Sequence, residues 1–146
     1  MPERTVLDFY RHEVNTPRGE HYAHWTPTGR RVLTTRQFFD RTSGLAAALT
    51  ELGIGRGDRV MLMSDNRPEW HMVDLATLSL GAVDVPVYTT LTPDQIAYQV
   101  GDSGAVAAGL VAAGVATAAG LATGTGVACR HVCRPSQTAT ATLATP

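Results

Sequence analysis

Apolar positions recur with two different periods along the first hundred residues, and each period predicts a type of element. Val6, Leu7, Phe9, Tyr10 and Val14 lie on or near one face of a short amphipathic helix over residues 5 to 14. After Pro17 and Gly19, the stretches His21 to Trp25 and Arg31 to Leu33 flank Thr-Pro-Thr-Gly at 26 to 29, a hairpin signal. Thr34 followed by Gln37 has capping-box spacing and opens a helix on which Phe38, Leu45, Leu49 and Leu52 recur at helical intervals. Gly53 is placed to stop it as a C′ residue.

The period then changes. Gly55-Arg56-Gly57-Asp58 makes a turn into Val60-Met61-Leu62-Met63, a continuous apolar run that fits a strand covered on both faces. Asn66 and Glu69 form a second capping pair, with Pro68 in the first turn of an apolar helix over about 68 to 80 that Gly81 ends. Val83, Val85 and Val87 alternate through a further strand. Strand 59 to 64, helix 68 to 80 and strand 83 to 88 thus form a βαβ unit, which requires parallel strands and a right-handed crossover. Thr92-Pro93-Asp94-Gln95 opens a last helix, with Ile96 and Val100 four apart and Gly101 as its stop. The fold class is α/β.

Composition divides the chain of 146 residues at the same place where the local signals fade. All 13 carboxylates lie between Glu3 and Asp102, and all nine aromatic residues between Phe9 and Tyr98. Residues 103 to 146 carry only Arg130 and Arg134 as charges, in a setting of Ala, Thr and Gly. A net charge of -1 excludes a strongly basic nucleic-acid binder. Lysine is absent altogether, since all 12 basic residues are Arg. Amine chemistry, whether a Schiff base or the Lys of a phosphate-binding loop, therefore has to come from elsewhere. Two cysteines and no apolar h-region near the N-terminus lead us to expect a cytoplasmic, reducing location.

Several short motifs carry a functional reading and a plainer one. Gly53-Ile54-Gly55-Arg56-Gly57 lacks the third dinucleotide-loop Gly and runs helix, loop, strand, the reverse of what a cofactor loop needs, so turn geometry explains it. Gly101-Asp102-Ser103-Gly104 resembles the nucleophile segment of trypsin-like proteases, but that triad belongs to an all-β scaffold, and a helix-ending loop is the better reading. His21 and His24 point to opposite faces of a strand and do not converge on a metal. Cys129-Arg130-His131-Val132-Cys133 is the most metal-like cluster, yet no second ligand group accompanies it. Thr123-Gly124-Thr125-Gly126 looks like a phosphate cradle without its Lys or its strand-to-helix context. Residues 104 to 128 are uncharged over 25 positions, long enough to cross a bilayer as a helix. Their Gly and Ala content argues against insertion, so a membrane-attached or interaction module built on that helix is the alternative rather than the leading reading.

Over residues 34 to 105 the sequence resembles the opening of an AMP-forming, adenylate-forming ligase. The matching segments are Thr35-Arg36-Gln37-Phe38, Ala46-Ala47-Ala48-Leu49, Leu52-Gly53-Ile54 and Gly57-Asp58-Arg59-Val60. Ser64-Asp65-Asn66-Arg67-Pro68-Glu69-Trp70, Leu80-Gly81-Ala82-Val83, Val85-Pro86-Val87-Tyr88, Leu91-Thr92-Pro93 and Asp102-Ser103-Gly104-Ala105 are similar to the long-chain acyl-CoA synthetase branch. The resemblance divides the chain into a partial AMP-binding domain over residues 1–105, loosest over 1–33, and a divergent tail over 106–146.

What the resemblance implies is a two-step reaction of the intact enzyme. A carboxylate attacks the α-phosphate of ATP to give an acyl-adenylate and pyrophosphate, and the thiol of coenzyme A then displaces AMP. A Ser/Thr/Gly-rich loop ending in Lys-Gly, Mg²⁺ and a Lys on a mobile C-terminal domain hold the developing charge, all in segments downstream of those matched here. The matching positions are scaffold positions. No catalytic, cofactor-binding or metal-binding residue is carried over, and the fragment alone is expected to bind none of ATP, Mg²⁺ or coenzyme A and to be inactive. The abrupt loss of charge near residue 105 is what a shifted reading frame in a GC-rich gene would give. The coding DNA tests this, because another frame near codon 105 should then encode the missing Lys-containing loop.

Overall fold

The computed structural model describes residues 5–111 and 128–129. Thr5 caps α1 (Val6–Asn15): its hydroxyl accepts from the Asp8 N–H at 3.2 Å and the Asp8 carboxylate accepts from the Thr5 N–H at 3.0 Å. The hairpin follows as β1 (Tyr22–Thr26) and β2 (Gly29–Leu33), antiparallel from Tyr22↔Leu33 to Thr26↔Gly29. Thr34 and Gln37 form the expected reciprocal cap on α2 (Thr35–Glu51), and Phe38, Thr42, Leu45 and Leu49 are buried along one face. The helix ends where Gly53 takes a φ of 77°, a left-handed conformation that favours Gly.

β3 (Arg59–Ser64), α3 (Pro68–Ser79) and β4 (Val83–Val87) form the βαβ unit, with β3 and β4 parallel from Arg59↔Val83 to Met63↔Val87. α4 (Pro93–Ser103) then leads back to β5 (Ala107–Val111), parallel to β3 on its other side, and β6 (Ala128–Cys129) pairs antiparallel to β5. The sheet order is β4-β3-β5-β6, so β3 is central. Alternation along β3 sends Val60 and Leu62 to one face and Met61 to the other, and all three are buried. The larger core, on the Leu62 face, joins β3 to α2 and α3 through Phe38, Leu49, Met72 and Ala76. On the hairpin side, Tyr22 stacks on Phe38 at 6.0 Å and packs at 5.4 Å against the His71 ring.

Three expectations change. The start of α3 is capped by Arg67, without a side-chain hydrogen bond, and not by Asn66. Pro68 restricts the residue before it to extended backbone, which is the N-cap conformation, so Asn66 sits one position too early. Glu69 is engaged by Arg67, whose Nε lies 3.0 Å from Oε2. Second, α4 continues through Gly101 to Ser103, and Gly104, with a φ of 63°, takes the left-handed position at its end. Third, residues 107–111 are a strand within the stretch assigned to the divergent tail. Ala and Gly carry no strand signal of their own, but their backbone groups complete the hydrogen bonding of β3, and Ala105 and Ala107 are buried beside it. Strand β5 also takes up 107–111 of the stretch 104 to 128 that the alternative reading makes a helix, and residues 112 to 127 lie outside the described residues. Among the described residues, no helix is long and apolar enough to cross a membrane.

Candidate functional site

Open α/β sheets bind ligands beyond the carboxyl ends of their strands where the strand order reverses, which here lies between β3 and β5, next to the β3–β4 pair. β3 and β4 end side by side at Met63 and Val87, and a cavity of about 440 Å³ opens directly beyond them. Its base is Val87 and Pro86, and its polar edge is Ser64, Asp65, Asn66 and Thr89. Trp70, from the first turns of α3, and Tyr88, from the segment after β4, add aromatic rings. The Ser64 hydroxyl donates to the Asp65 carbonyl at 2.9 Å, which turns the chain out of the strand. Among the described residues, the only charged side chain in this lining is the Asp65 carboxylate. The donor set therefore does not fit a triphosphate or its Mg²⁺: a polyphosphate would meet like charge, and one carboxylate beside neutral oxygens and an amide is a poor cation site. No step of nucleotide chemistry is assigned to these residues.

The strongest electrostatic feature lies in the seam between α3 and β4. Burial pushes the Asp84 carboxyl up to about 6, the nearby Asp74 charge acts in the same direction, and a hydrogen bond from the Val85 backbone offsets part of this. Asp74 is raised too, by burial, with His71 opposing. Asp84 Oδ1 is buried with no hydrogen-bond partner among the described residues. Among those residues no group of three or more His, Cys, Asp or Glu is placed to hold a metal. We read the pair as two carboxyls held at a cost by the packing, a point of stored instability rather than a ligand set.

The motifs singled out in the sequence do not converge on either place. Gly53 to Gly57 is the turn between α2 and β3, where the Gly55 N–H donates to the Asp58 carboxylate at 2.9 Å. Gly101 to Ser103 is the last turn of α4. His21 packs on Phe38 at 5.1 Å with its Nδ1 3.6 Å from Glu13, while His24 lies within β1. Thr123 to Gly126 and residues 130 to 133 lie outside the described residues, and of the metal-like cluster only Cys129 is described, in β6. Trp70 and Tyr88 stand within the segments that carry the resemblance, but nothing local marks them as cavity walls. Asp84 does have a signal in the sequence, one that periodicity alone passes over: it is a lone acid inside the alternating Val83, Val85, Val87 strand.

Comparison with known proteins agrees with this architecture. A protein of Mycobacterium tuberculosis described as uncharacterized protein Rv1549 is 37% identical over 79 residues, which is 54% of this chain and 45% of that protein. The long-chain-fatty-acid–CoA ligase FadD15 of the same organism is 38% identical over 74 residues, 51% of this chain and 12% of the ligase. Among solved structures, the N-terminal domain of FACL13 from M. tuberculosis superposes with a TM-score of 0.64 at 26% identity, covering 74% of this chain and 27% of that one. The chain thus spans less than half the length of these relatives. The match to a family described as AMP-binding enzyme runs over residues 9–140, which continues past residue 105. With a parallel α/β sheet, ligase relatives and a family match over most of its length, the chain belongs to the AMP-binding, adenylate-forming enzyme family and corresponds to an N-terminal part of it.

Proposed function

We propose that this chain supplies the first structural layer of a long-chain fatty acid–CoA ligase and is catalytically silent without the later segments. The observation that carries the reading is the pairing of a scaffold match with a missing chemistry. The chain is 38% identical to the ligase FadD15 over 74 residues, while it contains no lysine and, among the described residues, its strand-end cavity has no cation in its lining. Transfer of an adenylyl group needs positive charge at the phosphates. ATP, Mg²⁺, fatty acid and coenzyme A are accordingly ligands of the intact enzyme. A cytoplasmic location goes with this reading, supported by sparing use of cysteine. The alternative, a membrane or interaction helix over residues 104 to 128, is disfavoured by strand β5.

The test is a graft. The 74-residue stretch of FadD15 that matches this chain is replaced by the corresponding residues of this chain, and palmitoyl-CoA formation is followed. The graft should fold and retain activity within about tenfold of the parent, because scaffold exchange within a fold changes packing more than chemistry. A graft that folds but makes no thioester contradicts the proposal.

A further inference from the structure

The cavity beyond β3 and β4 suits neither a polyphosphate nor a hard metal ion, but its lining fits another class of ligand. Two aromatic residues from different elements, Trp70 of α3 and Tyr88 after β4, stand around the same space of about 440 Å³. Trp70 is partly buried, and its ring packs edge-on against His71 with centroids 5.1 Å apart and planes at 80°. Tyr88 is 80% exposed, and its carbonyl accepts from the Leu91 N–H at 3.3 Å, which turns the chain behind it. The Asp65 carboxylate at the rim is exposed and has no hydrogen-bond or ion-pair partner among the described residues. Arg67, two residues on, is held by Glu69 at 3.0 Å and, among the described residues, lies outside the lining. Glu69 also stands in the first turn of α3, where it opposes the positive end of the helix.

We infer that this cavity binds a small organic cation, an alkylated ammonium group seated against Trp70 and Tyr88 with Asp65 as its counter-ion. Aromatic faces and a free carboxylate both attract positive charge. A divalent metal ion needs six or more oxygen ligands to replace its water, whereas an alkylammonium carries its charge on an apolar surface and needs no such shell. Pro86 and Val87 at the base offer apolar walls for the carbon body of the ligand, and the Asn66 amide and Thr89 hydroxyl offer polar contacts at its edge. The site is formed wholly by this chain, and its ligand is neither a fatty acid, a nucleotide nor a thiol, so it stands apart from the ligase reading.

Two isosteres separate charge from shape: choline, and 3,3-dimethylbutan-1-ol, in which carbon replaces the quaternary nitrogen. Each is titrated into the full 146-residue chain carrying Trp25→Phe, an exposed hairpin position, which leaves Trp70 as the one tryptophan whose emission is followed. Saturable choline binding is expected, about tenfold or more tighter than binding of the alcohol, which has no charge for the rings and the carboxylate to attract. Asp65→Asn should weaken choline by about fivefold or more and leave the alcohol unchanged, and Tyr88→Leu should weaken choline by a similar factor. Both substitutions fall on exposed side chains, so circular dichroism should match the parent. The isostere comparison needs neither variant, and it stands if one of them unfolds the chain. Three results would overturn the inference: no saturable choline response up to about 100 mM, equal affinity for choline and the alcohol, or choline binding that survives both substitutions in folded protein. Failure here leaves the grafted ligase untouched, and an inactive folded graft leaves choline binding untouched.

Discussion

Truncating Leu62 to alanine is expected to lower the folding free energy by about 3 kcal/mol. Leu62 has no solvent exposure and sits in the middle of β3, the central strand of the sheet, facing α2 and α3. The substitution removes three carbons from a core that meets helices on one side and hydrogen-bonded neighbours on both edges, so little can collapse into the space. The loss therefore combines the transfer free energy of the removed groups with the cost of the cavity they leave. Urea denaturation should show the midpoint move down with the slope unchanged. A change below about 1 kcal/mol would mean that the strand is not central or that the α2–α3 layer is loose.

Asp84→Asn is expected to act in the opposite direction and to depend on pH. The native state raises the Asp84 carboxyl from about 3.8 to about 6, so it holds a proton that the unfolded chain releases at lower pH. Its stabilising contribution is therefore complete below pH 3.8 and is lost as pH rises to about 6, leaving a charged, under-solvated carboxylate at pH 7. Asparagine keeps the shape and removes the charge. At pH 7 the variant should be more stable by about 1 to 2 kcal/mol, after discounting the shift for solvent screening at a half-buried site. At about pH 4 the two proteins should be nearly equal, with a residual slope from Asp74, which is also raised. Urea midpoints measured from about pH 4 to pH 7.5 read the difference directly. Equal stability at pH 7 would show that Asp84 has a partner in solution.

The elements that can be read from sequence are those decided within four residues. Thr34 with Gln37 and Thr92 with Gln95 mark helix starts because the cap is made by the same two side chains that spell it. The same spacing misleads at Asn66 and Glu69, where Pro68 fixes the preceding backbone and moves the cap to Arg67. Gly101 reads as a stop because any Gly near a helix end does, yet of the two glycines there only Gly104 takes a left-handed conformation. β5 is hidden for a different reason: Ala107, Ala108 and Gly109 become a strand through pairing with Val60 to Leu62, almost fifty residues earlier. The candidate cavity and the Asp74–Asp84 seam share this non-local origin. Each joins α3 to β4 or to the segment after it, a proximity that the crossover creates and no local pattern states.

Fatty-acid-dependent exchange of labelled pyrophosphate into ATP by the purified 146-residue chain tests the central claim most directly, since adenylate formation is the first step the missing lysines would serve. The expected result is no exchange above a protein-free control at any palmitate or Mg²⁺ concentration, under conditions where intact FadD15 exchanges readily. Palmitate-dependent exchange by this lysine-free chain alone would contradict the account.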